Sequence, residues 1–305
     1  MAGRTILVVV DPTVEAQPAA ERAALIARAA SADLELFICD YDPEIEAGMV
    51  STVWIDQPAK ETLMRVLEDK LEALAAPLRE AGLNVSVDVH WDHPLDAGIV
   101  RKIVESTPWL VVKDTHHHNV LKRTVLSNTD WHLIRQCPVP LYLVKPENPP
   151  ARSKIFAAVD PVHEHDKPAS LDHAIVKLAE EMAGYLSGEL HVVHTYAVPS
   201  SLVALEGVPV THIFDAIETE HRDAFTAFLA PYSVAQGNAH FVEGLPQEKL
   251  PEMTADPDAG LIVMGAVSRR GLDRIFVGST AERVLDRLSC DLLIVKQASF
   301  ESSSS

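Results

Sequence analysis

The chain has 305 residues, 47% hydrophobic and 23% charged, the balance of a packed globular protein with room for two domains of ordinary size. Its 44 acidic against 26 basic residues give a formal charge of −18, which repels nucleic-acid phosphates and anionic lipid, so neither is an expected partner. No stretch nears the roughly 18 uncharged apolar residues of a membrane span, the start reads as no secretion signal, and three dispersed cysteines form no disulfide framework; a cytoplasmic setting is expected.

In chain order, short runs rich in Val, Ile and Leu predict strands at Ile6–Asp11, Leu34–Asp40, Asn84–Trp91, Leu110–Asp114 and Leu141–Lys145. Runs apolar on both faces suit buried parallel strands. The amphipathic stretch Lys60–Ala81 predicts a long helix between the second and third of these strands. The proline-rich Lys145–Pro150 breaks regular structure and reads as a linker. A second series of strands follows at Lys154–Asp160, Leu190–Tyr196, Ala239–Glu243, Leu261–Gly265 and Asp291–Lys296. Helical spacing appears at Leu171, Ala174, Ile175, Leu178 and Met182, and again at Ala281, Val284, Leu285 and Leu288. The tail 299–305 is expected to be disordered.

The two series repeat each other. Asp160 follows Asp11 by 149 residues and Lys296 follows Lys145 by 151, so the offset holds from first strand to last. Parallel pairing requires right-handed crossovers of a dozen or more residues, which the helices supply. The expected fold class is α/β, two tandem doubly wound, Rossmann-like domains with five-stranded parallel sheets, at 1–147 and 152–298. Cys137 and Cys290 occupy equivalent places before the last strand of each half and read as buried packing groups.

In such sheets ligands bind beyond the carboxyl ends of strands at the topological switch point, which directs attention to the loop after each fourth strand. In the second half this loop runs from Met264-Gly265 through Ser268, Arg269, Arg270 and Arg274 to Gly278-Ser279-Thr280, then enters a helix. Gly265 lets the backbone turn close to a ligand, and Gly278-Ser279-Thr280 offers amides and hydroxyls where a helix dipole favours an anion. An ordinary helix N-cap uses the same residues, so a phosphate site and a plain cap both remain open on these grounds.

The loop resembles that of the universal stress protein family. Nucleotide-binding members carry Gly, two residues, Gly, nine residues, then Gly-Ser or Gly-Thr; Gly265, Ser268 and Gly278-Ser279 fall on that frame, with Ser268 in place of the second glycine. The resemblance spans nearly the whole chain, including Thr129-Asp130-Trp131-His132-Leu133 and the closing Cys290-Asp291-Leu-Leu-Ile-Val-Lys296, and is nearest to tandem members of the family. It implies that an adenine nucleotide, ATP or AMP with Mg²⁺, binds the second half without efficient turnover. Asp160 would contact the base or ribose, Gly265, Ser268, Gly278, Ser279 and Thr280 would surround the phosphates, and Val159, Val193, Met264, Val267 and Arg270 would also belong to the nucleotide site. It also implies that the two halves pair through Leu141–Lys145 and Asp291–Lys296 as a pseudo-dimer, with a homodimer a further option.

The first half departs from the frame. Its loop, Lys113-Asp114-Thr115-His116-His117-His118-Asn119, has no glycine, and Leu126-Ser127 or Val125-Leu126 replaces Gly-Ser, so a nucleotide site there is expected to be lost. His116 and His118, with His90 and His93 nearby in the fold, are weak metal candidates. His163 and His165 follow the first strand of the second half and could touch a nucleotide. Two other readings stay open: a nucleotide-independent scaffold or apolar-ligand module using Val50–Ile55 and the Lys60–Ala81 helix, and an enzyme with a histidine-bound metal. No Walker loop and no Gly-x-Ser-x-Gly elbow is present, and no catalytic residue is assigned.

Overall fold

A computed structural model describes residues 3–47, 59–115, 117–118, 123–124, 126–149, 153–162, 170–198, 211–266 and 284–296. The chain divides into two compact units, Met1–Glu147 and Asn148–Ser305.

In the first unit five strands form a parallel sheet: β1 (Thr5–Val9), β2 (Asp33–Asp40), β3 (Val85–Trp91), β4 (Leu110–Asp114) and β7 (Leu141–Val144). Their order is β7-β4-β1-β2-β3. The connecting helices are α1 (Pro18–Ala30), the short α2 (Pro43–Glu46), α3 (Ala59–Glu80), α4 (Leu95–Ser106) and α5 (Asn128–Gln136). Ile6, Leu7, Val8, Leu110, Val111 and Val112 are fully buried, as strands covered on both faces require. On α1 the small side chains Ala19, Ala20, Ala23, Ala24 and Ala27 are buried, which lets its backbone lie close to the sheet. Gly98 of α4 does the same against β2, since a Cβ there would stand 2.5 Å from Cys39 Sγ.

β1 stops at Val9, short of the expected Asp11. The chain turns because Asp11 Oδ1 accepts from Thr13 N at 2.8 Å and Thr13 Oγ1 at 2.7 Å, a local alternative to the ladder. A second departure is a two-residue antiparallel ribbon, β5 (His117–His118) with β6 (Arg123–Thr124), where a simple loop was expected.

α5 begins with a capping box: Ser127 Oγ accepts from Asp130 N at 3.1 Å and Asp130 Oδ2 accepts from Ser127 N at 2.8 Å. Ser127→Ala should cost about 1 kcal/mol of first-unit stability, read by denaturant unfolding. No measurable change would mean that the cap is redundant with the packing of Leu133 and Ile134, both fully buried on the same helix.

The second unit repeats the plan with β8 (Lys154–Ala158), β9 (Glu189–Tyr196), β10 (Ala239–Glu243), β11 (Ala259–Gly265) and β12 (Asp291–Val295), all parallel, in the order β10-β9-β8-β11-β12. Its helices are α6 (Ser170–Tyr185), α7 (Thr211–Leu229) and α8 (Pro246–Thr254). Within the linker, buried Asn148 donates from Nδ2 to Gly260 O at 2.7 Å. β8 ends at Ala158, so Asp160 stands beyond the strand instead of on it; Pro161 in the following turn has no N–H to continue a ladder. Cys137 and Cys290 are both fully buried. Burial, then the neighbouring Asp92 charge, pushes the Cys39 thiol up to about 12, so it stays protonated and unreactive.

Candidate functional site

In the second unit the chain runs from β8 to β9 and β10 on one side and then returns from β10 to β11 on the other, so the switch point falls between the carboxyl ends of β8 and β11. Asp160 and Met264-Gly265 stand at these two ends, and Val193 lies on the neighbouring β9. Gly265 packs over α6 so closely that a Cβ would meet Leu171 Cδ2 at 2.7 Å. Of the other expected ligand residues, Val267, Ser268, Arg270, Gly278, Ser279 and Thr280 lie outside the described residues, as do Arg269, Arg274, His163 and His165.

The backbone at the end of β8 is held by one ladder-like backbone bond and by two side chains. Val159 N donates to Val193 O at 3.0 Å, and Asp160 N donates to Oδ1 of Asp172 at 3.2 Å. Asp172, on the first turn of α6, is itself buried. His194 Nδ1 lies 3.1 Å from Val159 O and 4.0 Å from Asp160 Oδ1. A carbonyl only accepts, so Nδ1 carries the proton; Nε2 then accepts from His221 Nδ1 at 2.8 Å. Phe225, Phe241 and Tyr196 surround this pair.

At the matching switch point of the first unit, between β1 and β4, the place of Gly265 is taken by Asp114. Its Oδ1 accepts from Ala19 N at 2.8 Å, so a protein carboxylate already caps the N-terminus of α1. The N-terminus of α5 is closed by its own capping box, and Lys113 Nζ lies 2.8 Å from Asp130 Oδ1, both side chains buried. Both helix ends that would face a phosphate are therefore occupied from within. A cavity of about 380 Å³ remains beside Asp11, lined by Val10, Val14, Gln17, Ile38, Lys70 and Leu74 among others. Lys70 closes its rim by donating to Pro12 O at 2.7 Å.

The weak metal candidates do not converge in what is described. His90 lies 3.0 Å from Asp88 and edge-on to Phe37, and His93 packs on Tyr41. His118 pairs through its backbone with Arg123, while His116 lies outside the described residues, as do Val50–Ile55. Among the described residues no three His, Cys, Asp or Glu side chains stand close enough to hold a metal ion.

Sequence reasoning missed a pair of histidines on each face of β9. Besides His194 with His221, His191 Nδ1 lies 3.0 Å from His240 Nε2, the rings 15° from coplanar and meeting edge to edge. The available signal was histidine at 191 and 194 on either side of the apolar pair Val192-Val193 in a predicted strand.

These observations define a protein of two doubly wound α/β units, with Asp160 and Gly265 at the switch point of the second and Asp11 and Asp114 at that of the first. The profile of the Universal stress protein family matches residues 3–145 and 152–296, and the chain belongs to that family. It is 30% identical over 306 residues to Universal stress protein E of Salmonella typhi, covering 98% of this chain and 96% of that protein, and 29% identical over 317 residues to Universal stress protein E of Escherichia coli K12. It is thus of the tandem, E-like type. A solved structure of a functionally unknown protein from Pseudomonas aeruginosa PAO1 is similar throughout, at 29% identity and a TM-score of 0.77, covering 100% of this chain and 98% of that one. A universal stress protein from Archaeoglobus fulgidus shares the fold at 15% identity and a TM-score of 0.64, over 97% and 100% of the two chains. Among the described residues no helix is long and apolar enough to cross a membrane.

Proposed function

We propose that this protein is a cytoplasmic stress-response protein whose second unit binds an adenine nucleotide, ATP or AMP with Mg²⁺, without efficient turnover. The observation that carries this reading is the contrast between the two switch points. Asp114 fills the first with a side chain that caps α1, whereas the second has Gly265 at the same place, bare of any side chain, with Asp160 projecting from a backbone held on both sides. Asp160 would meet the base or ribose, Val159 and Val193 would flank it, and the loop through Ser268, Arg270, Gly278, Ser279 and Thr280 would surround the phosphates. An anion there gains from amide donors and the arginines of the loop despite the chain's net charge.

The test is calorimetric titration of ATP, ADP and AMP, with and without Mg²⁺, into the protein and a Gly278→Val variant. Saturable binding that the variant loses is the expected result. No binding to either protein would move the choice to a nucleotide-independent module, for which the 380 Å³ cavity of the first unit is the specific observation in favour.

A further inference from the structure

We infer that His194 is a positioning residue for the second-unit ligand, acting through the single peptide group that joins Val159 to Asp160. The inference rests on the nucleotide reading for its consequence, but its physical basis is independent of it. The Val159 carbonyl and the Asp160 N–H are the two polar ends of one planar unit. His194 Nδ1 donates to the first at 3.1 Å, and Asp172 Oδ1 accepts from the second at 3.2 Å. The anchoring side chains are 0% and 2% exposed, so water does not compete for either bond. The plane of this peptide sets the direction in which the Asp160 side chain leaves the chain, and that side chain remains 43% exposed at the switch point.

The imidazole is in turn oriented. In-line contact with His221 Nδ1 at 2.8 Å occupies Nε2, which keeps the proton of His194 on Nδ1, facing the carbonyl. The rings lie 17° from coplanar with centroids 5.1 Å apart, an edge-to-edge arrangement suited to one shared hydrogen bond. α7 therefore reaches the ligand groove through two histidines. Strand pairing puts Ile38 at the place of His194 in the first unit, and its apolar side chain has no donor to offer there. Among the described residues this histidine anchor stands in the second unit, whose switch point carries Gly265.

Two variants separate positioning from packing. His194→Leu keeps an apolar filling and removes the donor, whereas His194→Asn can place an amide N–H where Nδ1 stands. Expected for His194→Leu are ATP binding weakened about tenfold, the size of one buried hydrogen bond, a narrowed preference for ATP over GTP, and faster amide exchange at Asp160 without ligand. His194→Asn should recover most of all three. Wild-type binding retained in His194→Leu, equal losses in both variants, or ¹⁵N shifts showing the His194 proton on Nε2 would each overturn the inference. Should the unaltered protein bind no nucleotide, the functional reading fails instead, and the exchange and ¹⁵N measurements on the free protein still decide the role of His194.

Discussion

Lys113→Met is expected to destabilise the first unit by about 3–5 kcal/mol, the cost of leaving a buried carboxylate without its cation. Asp130 is fully buried and Lys113 nearly so, with Nζ 2.8 Å from Asp130 Oδ1 and 2.8 Å from the carbonyl of Asp114. The carboxylate keeps one strong partner after the substitution, the Ser127 N–H, which does not neutralise it. Replacing both residues, as Lys113→Met with Asp130→Leu, removes the stranded charge and should recover all but the capping contribution of about 1 kcal/mol. Denaturant unfolding followed in the first unit measures both. A loss below about 1 kcal/mol for Lys113→Met would show that water or another group reaches Asp130 and that the pair is not sealed.

The second large effect is acid lability confined to the second unit. His191 and His240 form a hydrogen-bonded pair beside a cavity of about 130 Å³, with Lys154, Phe156, Met253 and Asp256 on its walls. Burial, then the neighbouring His240 and Lys154, holds the His191 imidazole below the usual histidine range; burial and Lys154 do the same to His240. Glu189, at 4.0 Å from His191, and Asp256, which pairs with Lys154 at 2.6 Å, pull the other way and are outweighed. For a base whose folded pKa is depressed, the unfolded chain takes up the proton first as pH falls. Stability is therefore complete above the ordinary histidine pKa of about 6.5 and declines below it until the depressed values of the folded pair are passed. The limiting slope is about 1.4 kcal/mol per pH unit for each imidazole.

The first unit carries a different solution at the same place. Glu35 and Asp88 stand on β2 and β3 where His191 and His240 stand on β9 and β10, and Lys102 joins them at 2.5 and 2.8 Å from the helix position that Met253 holds in α8. Burial raises the Asp88 carboxyl, but the Lys102 hydrogen bond and charge outweigh it and hold it low, so this cluster loses stability only as pH falls through the carboxylate range. Unfolding monitored separately in each unit between pH 7.5 and 5 should show the second unit weakening and the first unchanged. The triple exchange His191→Glu, His240→Asp, Met253→Lys should remove the loss. An unaltered slope would locate the acid-sensitive group elsewhere in the unit.

Much of this was legible without coordinates. The repeat offset, the apolar runs and the helical spacing fixed two doubly wound units, because a parallel strand buried on both faces leaves few other sequences possible. Strand ends were less legible: β1 and β8 both stop two residues early, where Asp11 turns on Thr13 and Asp160 meets Pro161. Local hydrogen bonding by a side chain competes with the ladder at such points, and an apolar run does not record it.

The glycine frame of the second half, Gly265 to Ser279, and the lack of glycine at the matching place in the first were likewise present in the sequence, since a missing glycine speaks directly about backbone approach. What stands at that place in the first unit was not. That Asp114 turns onto the N-terminus of α1, that Lys113 neutralises Asp130, and that His194 grips the carbonyl before Asp160 are contacts between residues 17 to 95 positions apart. Likewise, only strand register shows that a histidine pair and a carboxylate–lysine cluster fill one equivalent position. Sequence periodicity determines which residues are buried; tertiary packing alone decides which buried polar groups meet, because each must find its partner across the fold.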